Sequence, residues 1–186
     1  MKFYFKNYTN FSEQENYDIL ELRNAHFVRE NMYHMNVINK TDHLHWLESL
    51  KSSKTCKYWG IFLDNQLIGS IDLTSINLNN KFAEWGFYIN KKHLGIGALV
   101  EYLGLEHFFE YLNFKTVLEG VYEKNKNVYH LHKDKFGFKE NSIYNRQEGQ
   151  RKFYGLTLSK EVWVQRKERI YQILTKVYNI EAVVWE

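Results

Sequence analysis

Three consecutive segments, Lys57 to Leu63, Gln66 to Ile76 and Phe82 to Asn90, are rich in β-branched and aromatic residues and short enough to be strands. Asp64-Asn65 and Asn79-Asn80 lie between them as turn residues, so the pattern predicts an antiparallel meander. Lys2 to Tyr8 reads as an earlier strand. Ser12 can cap a helix carrying Ile19, Leu20 and Leu22, followed by irregular or helical chain to Met35, and Thr41 can cap a second helix whose apolar face holds Leu44, Leu47 and Leu50. After the meander the period lengthens. Gly97 to Leu112 has helical spacing at Leu99, Leu103, Phe108 and Leu112; Lys115 to Tyr122 is a strand; Asn127 to Lys135 is a shorter helix. Phe136 to Tyr144 and Gln150 to Leu158 complete the set as a closing pair. The pattern therefore predicts an α+β protein with a mostly antiparallel sheet of seven strands flanked by helices.

Ser159 is placed to cap an additional C-terminal helix with Trp163, Ile170, Ile173, Leu174 and Val177 on its apolar side, ending near Asn179. The tail contains Val183-Val184-Trp185 and is too apolar to stand free in water. The expected organisation is one domain over residues 1–158, with residues 159–186 packed on it or on a second subunit of a homodimer.

Length and composition agree with one packed domain: 186 residues, 44% hydrophobic and 17% aromatic. A net charge of +3 is too balanced to argue for nucleic-acid binding. The basic runs at Lys91-Lys92-His93 and Lys133 to Lys139 are either phosphate contacts or solvated helix ends. Cys56 stands alone, so no internal disulfide can form. The first residues lack an apolar leader and no stretch approaches a membrane span, so the expected location is the cytoplasm. The spacing of His26, His34, His45, His93, His107 and His130 does not form a metal site.

The most informative stretch is Glu84-Trp85-Gly86-Phe87-Tyr88-Ile89, followed by Lys92-His93-Leu94-Gly95-Ile96-Gly97-Ala98. A strand enters a glycine-containing turn and then a helix N-terminus, where free N–H groups and the helix dipole favour an anion. Gly95 and Gly97 would let the backbone approach a pyrophosphate and adopt unusual dihedrals. An ordinary strand-to-helix turn has the same appearance.

This stretch resembles the acetyl-CoA signature of the GNAT N-acetyltransferase family: Gln or Arg, two variable residues, Gly, one variable residue, then Gly or Ala. Lys92 stands where that family has Gln or Arg. A second family element resembles Asn125-Lys126-Asn127-Val128-Tyr129-His130-Leu131-His132 with Phe136-Gly137-Phe138. Further features extend the likeness over nearly the whole chain to Trp163: Leu22-Arg23-Asn24, Val28, Met32-Tyr33, His43-Leu44, Trp46-Leu47, Tyr102-Leu103-Gly104-Leu105. These are similar to the bacterial acetyltransferases that act on a UDP-linked 4-amino-4,6-dideoxy sugar in pseudaminic acid synthesis.

The resemblance implies acetyl-CoA as cosubstrate, no metal, and direct transfer to the 4-amino group of such a sugar through a tetrahedral intermediate. It assigns Phe87, Tyr88, Ile89, Lys92, His93, Leu94, Gly95, Ile96, Gly97, Ala98, Asn125 and His132 to CoA. A backbone N–H of Tyr88 or Ile89 would polarise the thioester carbonyl. Glu84 is the expected base, acting through water, with a purely structural strand carboxylate as its alternative. His132 occupies the position where related enzymes place a Tyr that protonates the thiolate; Tyr129, three residues earlier, is an alternative, and a structural role for both is the third. Asn125 either bonds the pantetheine arm or holds a turn. The implied acceptor pocket comprises Arg23, Met32, Tyr33, His43 and Glu84; Arg23 and Tyr33 could equally be buried structural groups. A polyamine pocket should be lined by carboxylates, whereas Arg23, Arg29, His34 and His43 suit an anionic nucleotide. Acetylation of polyamines, another small amine or a protein N-terminus, and a non-catalytic CoA-binding module, are the competing functions.

Overall fold

The computed structural model describes residues 1–186. The strands are β1 (Lys2–Asn7), β2 (Lys57–Leu63), β3 (Gln66–Asn77), β4 (Phe82–Ile89), β5 (Thr116–Tyr122), β6 (Lys139–Glu140), β7 (Arg146–Glu148), β8 (Arg151–Ser159) and β9 (Ala182–Trp185). The helices are α1 (Glu13–Asn24), α2 (His26–Arg29), α3 (Lys40–Leu50), α4 (Gly97–Glu106), α5 (Lys126–His130) and α6 (Lys160–Leu174). Together the strands form one sheet in the order β6-β8-β5-β4-β3-β2-β1-β9, with β7 also pairing β8.

Local signals account for the meander. Asp64 and Asn65 both take positive φ, 47° and 70°, which closes the β2–β3 hairpin in the sense that matches strand twist. Ser12 caps α1 in a capping box with Glu15, and Ser159 caps α6 by accepting from Val162 N–H. The cap of α3 is Asn39, not the expected Thr41: its side chain accepts from Asp42 N–H at 2.9 Å.

The sheet departs from seven strands at two places. Residues 136–144 do not form one strand. Gly137 is left-handed (φ 87°) and closes the turn that follows α5, so Phe136 and Phe138 are buried around a helix end. Asn141 then caps a short 3-10 turn, and Asn145 accepts from Gly155 N–H at 2.9 Å, replacing ladder bonds with side-chain bonds. Only β6 remains as a strand within that range, and β7 follows it as a second short strand.

At the C-terminus α6 stops at Leu174, short of Asn179, and the tail becomes β9, parallel to β1 from Lys2↔Ala182 to Phe5↔Trp185. Trp185 stacks on Phe5 and on His107, with centroids 3.8 and 3.9 Å away, and Trp59 Nε1 donates to the Glu186 carbonyl at 2.8 Å. The early stop of α6 also lets the Tyr178 hydroxyl reach the Gly95 carbonyl at 2.7 Å. Residues 159–186 thus pack on the same domain, against both its edge strand and the turn before α4.

The larger core lies between the sheet, α4 and α6, and includes Ile71, Trp85, Leu99, Phe108, Val117 and Trp163. A smaller cluster of Tyr8, Ile19, Leu47 and Leu50 seats α1 and α3 on the opposite face. Each such side chain contributes roughly 1.5–3 kcal/mol on burial. No helix is long and apolar enough to cross a membrane.

One irregularity positions the site. Strands β4 and β5 run parallel and pair only from Phe82↔Thr116 to Glu84↔Leu118. Beyond Glu84 they separate, and the gap opens into a cavity.

Candidate active site

The cavity, about 930 Å³, extends from α1 and α3 across the β4–β5 gap to α4 and α5. Asn90 N–H donates to the Ile68 carbonyl at 2.7 Å, continuing the regular β3–β4 register. Because N–H direction alternates along a strand, Gly86 and Tyr88 direct theirs into β3, and Phe87 and Ile89 direct theirs into the gap. Ile89 therefore fits the expected polarising amide. Tyr88 does not, and the Phe87 amide is the other that faces the gap.

The chain then makes a 3-10 turn through Lys91–Ile96 and enters α4, whose first turn has no side-chain cap. An added Cβ at Gly95 or Gly97 would meet nothing within 4 Å, so these glycines border open space. Neither has positive φ, which corrects the expectation of unusual dihedrals there. Lys91, Leu94 and Gly97 line the cavity. Lys92 and Gly95 are exposed beside it, His93 is turned back to Asn90 at 2.6 Å, and Ile96 and Ala98 pack against the core. Asn125 lines the cavity beside Val128 and Leu131, and its side chain does not cap α5. The gap, two inward amides and an uncapped helix start fit an extended pantetheine arm with its diphosphate at α4.

On the α1 side, every expected acceptor residue lines the cavity: Arg23, Met32, Tyr33, His43 and Glu84. Arg29 and His34 do not. Arg29 is bound to the Asn24 and Met35 carbonyls, and His34 is exposed. Glu84 is buried and held at both oxygens, by the Tyr33 hydroxyl at 2.8 Å and by Arg146 at 2.7 Å. The Arg146 guanidinium lies over the Tyr33 ring, 4.7 Å from its centre. Burial, then Glu84, pushes the Tyr33 phenol upward. His43 is buried with Nε2 unpartnered, and burial lowers its pKa. Arg23 forms no ion pair, and its buried Nη1 has no hydrogen-bond partner.

Arg146 and Asp72 are among the site residues that escaped the sequence reading, as is Glu119 on the cavity wall. Arg146 sits in a segment read as the connection between closing strands, with no local feature to mark it. Asp72 lies within β3 opposite Gly86 and lines the cavity. A lone carboxylate between Ile71 and Leu73 in the middle of the strand was the available signal. Burial, then Glu84 and Glu119, pushes its pKa up to about 8 against the opposing pull of Arg23.

The two expected proton donors are elsewhere. His132 is fully buried and off the cavity wall, with Nδ1 2.6 Å from Glu101 and Nε2 2.7 Å from Glu119. The first contact is a hydrogen bond; the second is an ion pair without good hydrogen-bond alignment, which leaves Nε2 formally unpartnered. Although burial opposes the charge, the two carboxylates raise the imidazole pKa and keep it protonated. Enclosed this way, His132 cannot touch a thiolate directly; only Glu119 of the three reaches the cavity. Tyr129 is also off the wall: its hydroxyl binds Glu140 and accepts from Lys133 at 2.8 Å.

The GNAT acetyltransferase domain family matches residues 10–139. Acetyltransferase PseH of Campylobacter jejuni is 29% identical over 127 residues, 68% of this chain and 79% of that protein. Its crystal structure in complex with acetyl coenzyme A superposes with a TM-score of 0.64 at 25% identity, covering 84% of this chain and 98% of that one. A spermidine N-acetyltransferase from Vibrio cholerae, in complex with CoA and spermine, shares the fold with a TM-score of 0.73 at 17% identity, over 88% of this chain and 98% of that chain.

Proposed function

The chain belongs to the GNAT family as an acetyl-CoA-dependent N-acetyltransferase, and we propose that its acceptor is the 4-amino group of a UDP-linked 4-amino-4,6-dideoxy sugar. The observation that carries this reading is Arg23. A guanidinium that borders the cavity with a buried, partnerless N–H calls for an anion, and a nucleotide diphosphate supplies one. Tyr8, Trp46 and Tyr58 add aromatic surface beside it for a sugar or a base. The likeness to Acetyltransferase PseH supports the same class.

In this reading CoA enters along β4, the Phe87 and Ile89 amides hold the thioester, and the sugar amine approaches from the Glu84 face. Tyr33 and Arg146 fix Glu84 as an acceptor-side wall. A second reading has one observation in its favour: Asp72, Glu84 and Glu119 all line the cavity, and a group of carboxylates suits a polyamine.

Thiol release from acetyl-CoA separates the two. The expected outcome is rapid release with the UDP-linked 4-amino sugar and little with spermidine or a peptide amine. Preferential turnover of spermidine would replace the sugar-nucleotide reading with the polyamine one.

A further inference from the structure

Asp72 stands on the face of the sheet that carries Glu84 and pairs across the ladder with Gly86. A Cβ at position 86 would come within 3.9 Å of Asp72 Oδ2; with glycine there, the carboxyl looks past β4 into the cavity where the strand borders the gap. No protein group donates a hydrogen bond to it. Glu84, the neighbouring carboxylate, has both oxygens engaged. Of the two, Asp72 is the one free to receive a proton.

The groups that face Asp72 come from every element packed around it. Glu84 on β4 and Glu119 on β5 disfavour its charge, and Arg23 on α1 favours it. Tyr8, Tyr58 and Tyr88 surround it as neutral phenols, each with its pKa raised first by burial. A carboxyl in such a setting titrates close to working pH, as a general base should.

We propose that Asp72 is the catalytic base that takes the proton from the attacking nitrogen. This rests on acetyl transfer in the cavity and is independent of which amine is the acceptor. The amine lone pair forms the N–C bond, and the carbonyl electrons move to oxygen. The nitrogen proton passes to Asp72 Oδ. The C–S bond then breaks as the carbonyl reforms, and the proton returns through solvent to sulfur. A neutral amine and acetyl-CoA thus give the amide and CoA thiol with no net proton change.

The test compares wild type with Asp72→Asn and Glu84→Gln, measuring thiol release from pH 6 to 10 with the UDP-linked sugar and with spermidine. Calorimetry with acetyl-CoA checks that each variant is folded. Asp72→Asn should keep its affinity for acetyl-CoA and lose roughly 10²–10⁴-fold in kcat. With the UDP-linked sugar that loss should persist at pH 10, where its amine, made less basic by the ring oxygens than an alkylamine of pKa about 10.4, is already neutral. In Glu84→Gln the rising limb should move to lower pH, because one like charge has gone. Recovery of the Asp72→Asn rate at high pH would make Asp72 only an ammonium anchor and overturn the proposal. A readout without acceptor is the Asp72 component of the infrared carbonyl band of protonated carboxylic acids, seen as the difference between wild type and Asp72→Asn and expected to vanish as pH rises through about 8; buried Glu101, raised to about 7, contributes equally to both proteins and cancels. Its absence from wild type also overturns the proposal. If the sugar is the wrong acceptor, the band persists and only thiol release with that sugar fails.

Discussion

Replacing His132 with Phe would leave Glu101 and Glu119 inside the protein with the cation between them gone. Removing one member of a buried ionic group typically costs about 3–5 kcal/mol, because the remaining charges stay desolvated. His132→Phe should therefore unfold at much lower urea than wild type. The pH dependence carries a second signature. Two carboxylates raise the folded-state pKa of His132 above its unfolded value. Its contribution is fully present below the unfolded pKa, near 6.5, and is lost as pH rises through the folded value in the alkaline range. Wild type should begin to lose its urea midpoint above about pH 6.5 and go on losing it into the alkaline range. In His132→Phe the two carboxyls acquire raised pKa values, so the folded state binds more protons and stability already declines between pH 5 and 8. Identical midpoints for the two proteins across that range would show that the trio contributes nothing.

At the scale of elements, the C-terminal segment does more than extend the fold. Its Tyr178 hydroxyl binds the Gly95 carbonyl in the turn that leads to α4, while β9 anchors the segment to β1. One such bond is worth about 1 kcal/mol, or roughly fivefold in affinity if it holds the turn in its binding shape. Tyr178→Phe should weaken acetyl-CoA binding by two- to fivefold in calorimetry, with thermal stability little changed; an unaltered Kd would mean the turn sets itself. This coupling was not legible in the sequence, although the meander was. Strands β2, β3 and β4 are specified by their own residues and by turns such as Asp64-Asn65, which are local. The tail reads as apolar but not as a strand, because its partner β1 lies at the other end of the chain. Residues 136–144 look like a strand until Gly137, Asn141 and Asn145 make bonds that only the fold provides. The same distinction holds in the site. The glycine turn and Glu84 were readable from local pattern and family resemblance. Glu101, 31 residues before His132, and Arg146, 62 residues after Glu84, were not.

Across the whole molecule, a net charge of +3 conceals a cavity wall bearing Asp72, Glu84 and Glu119 against Arg23 and Lys91. Such a wall suits an acceptor with an amine at one end and an anion at the other. Arg23→Met tests the anionic end. A charge-assisted hydrogen bond is worth about 1.5–3 kcal/mol, so KM for the UDP-linked sugar should rise roughly 10- to 150-fold. The KM for spermidine, which has no anion, should not rise when Arg23 is removed. Arg23 also holds the Asp72 pKa down, so its removal shifts the rising limb of the rate to higher pH. Kinetics at pH 9 and above, compared with those at pH 7, separate loss of binding from loss of the deprotonated base. A KM for the sugar that stays within twofold of wild type at high pH would leave Arg23 with no anion to bind, and the nucleotide would have to be sought elsewhere on the surface.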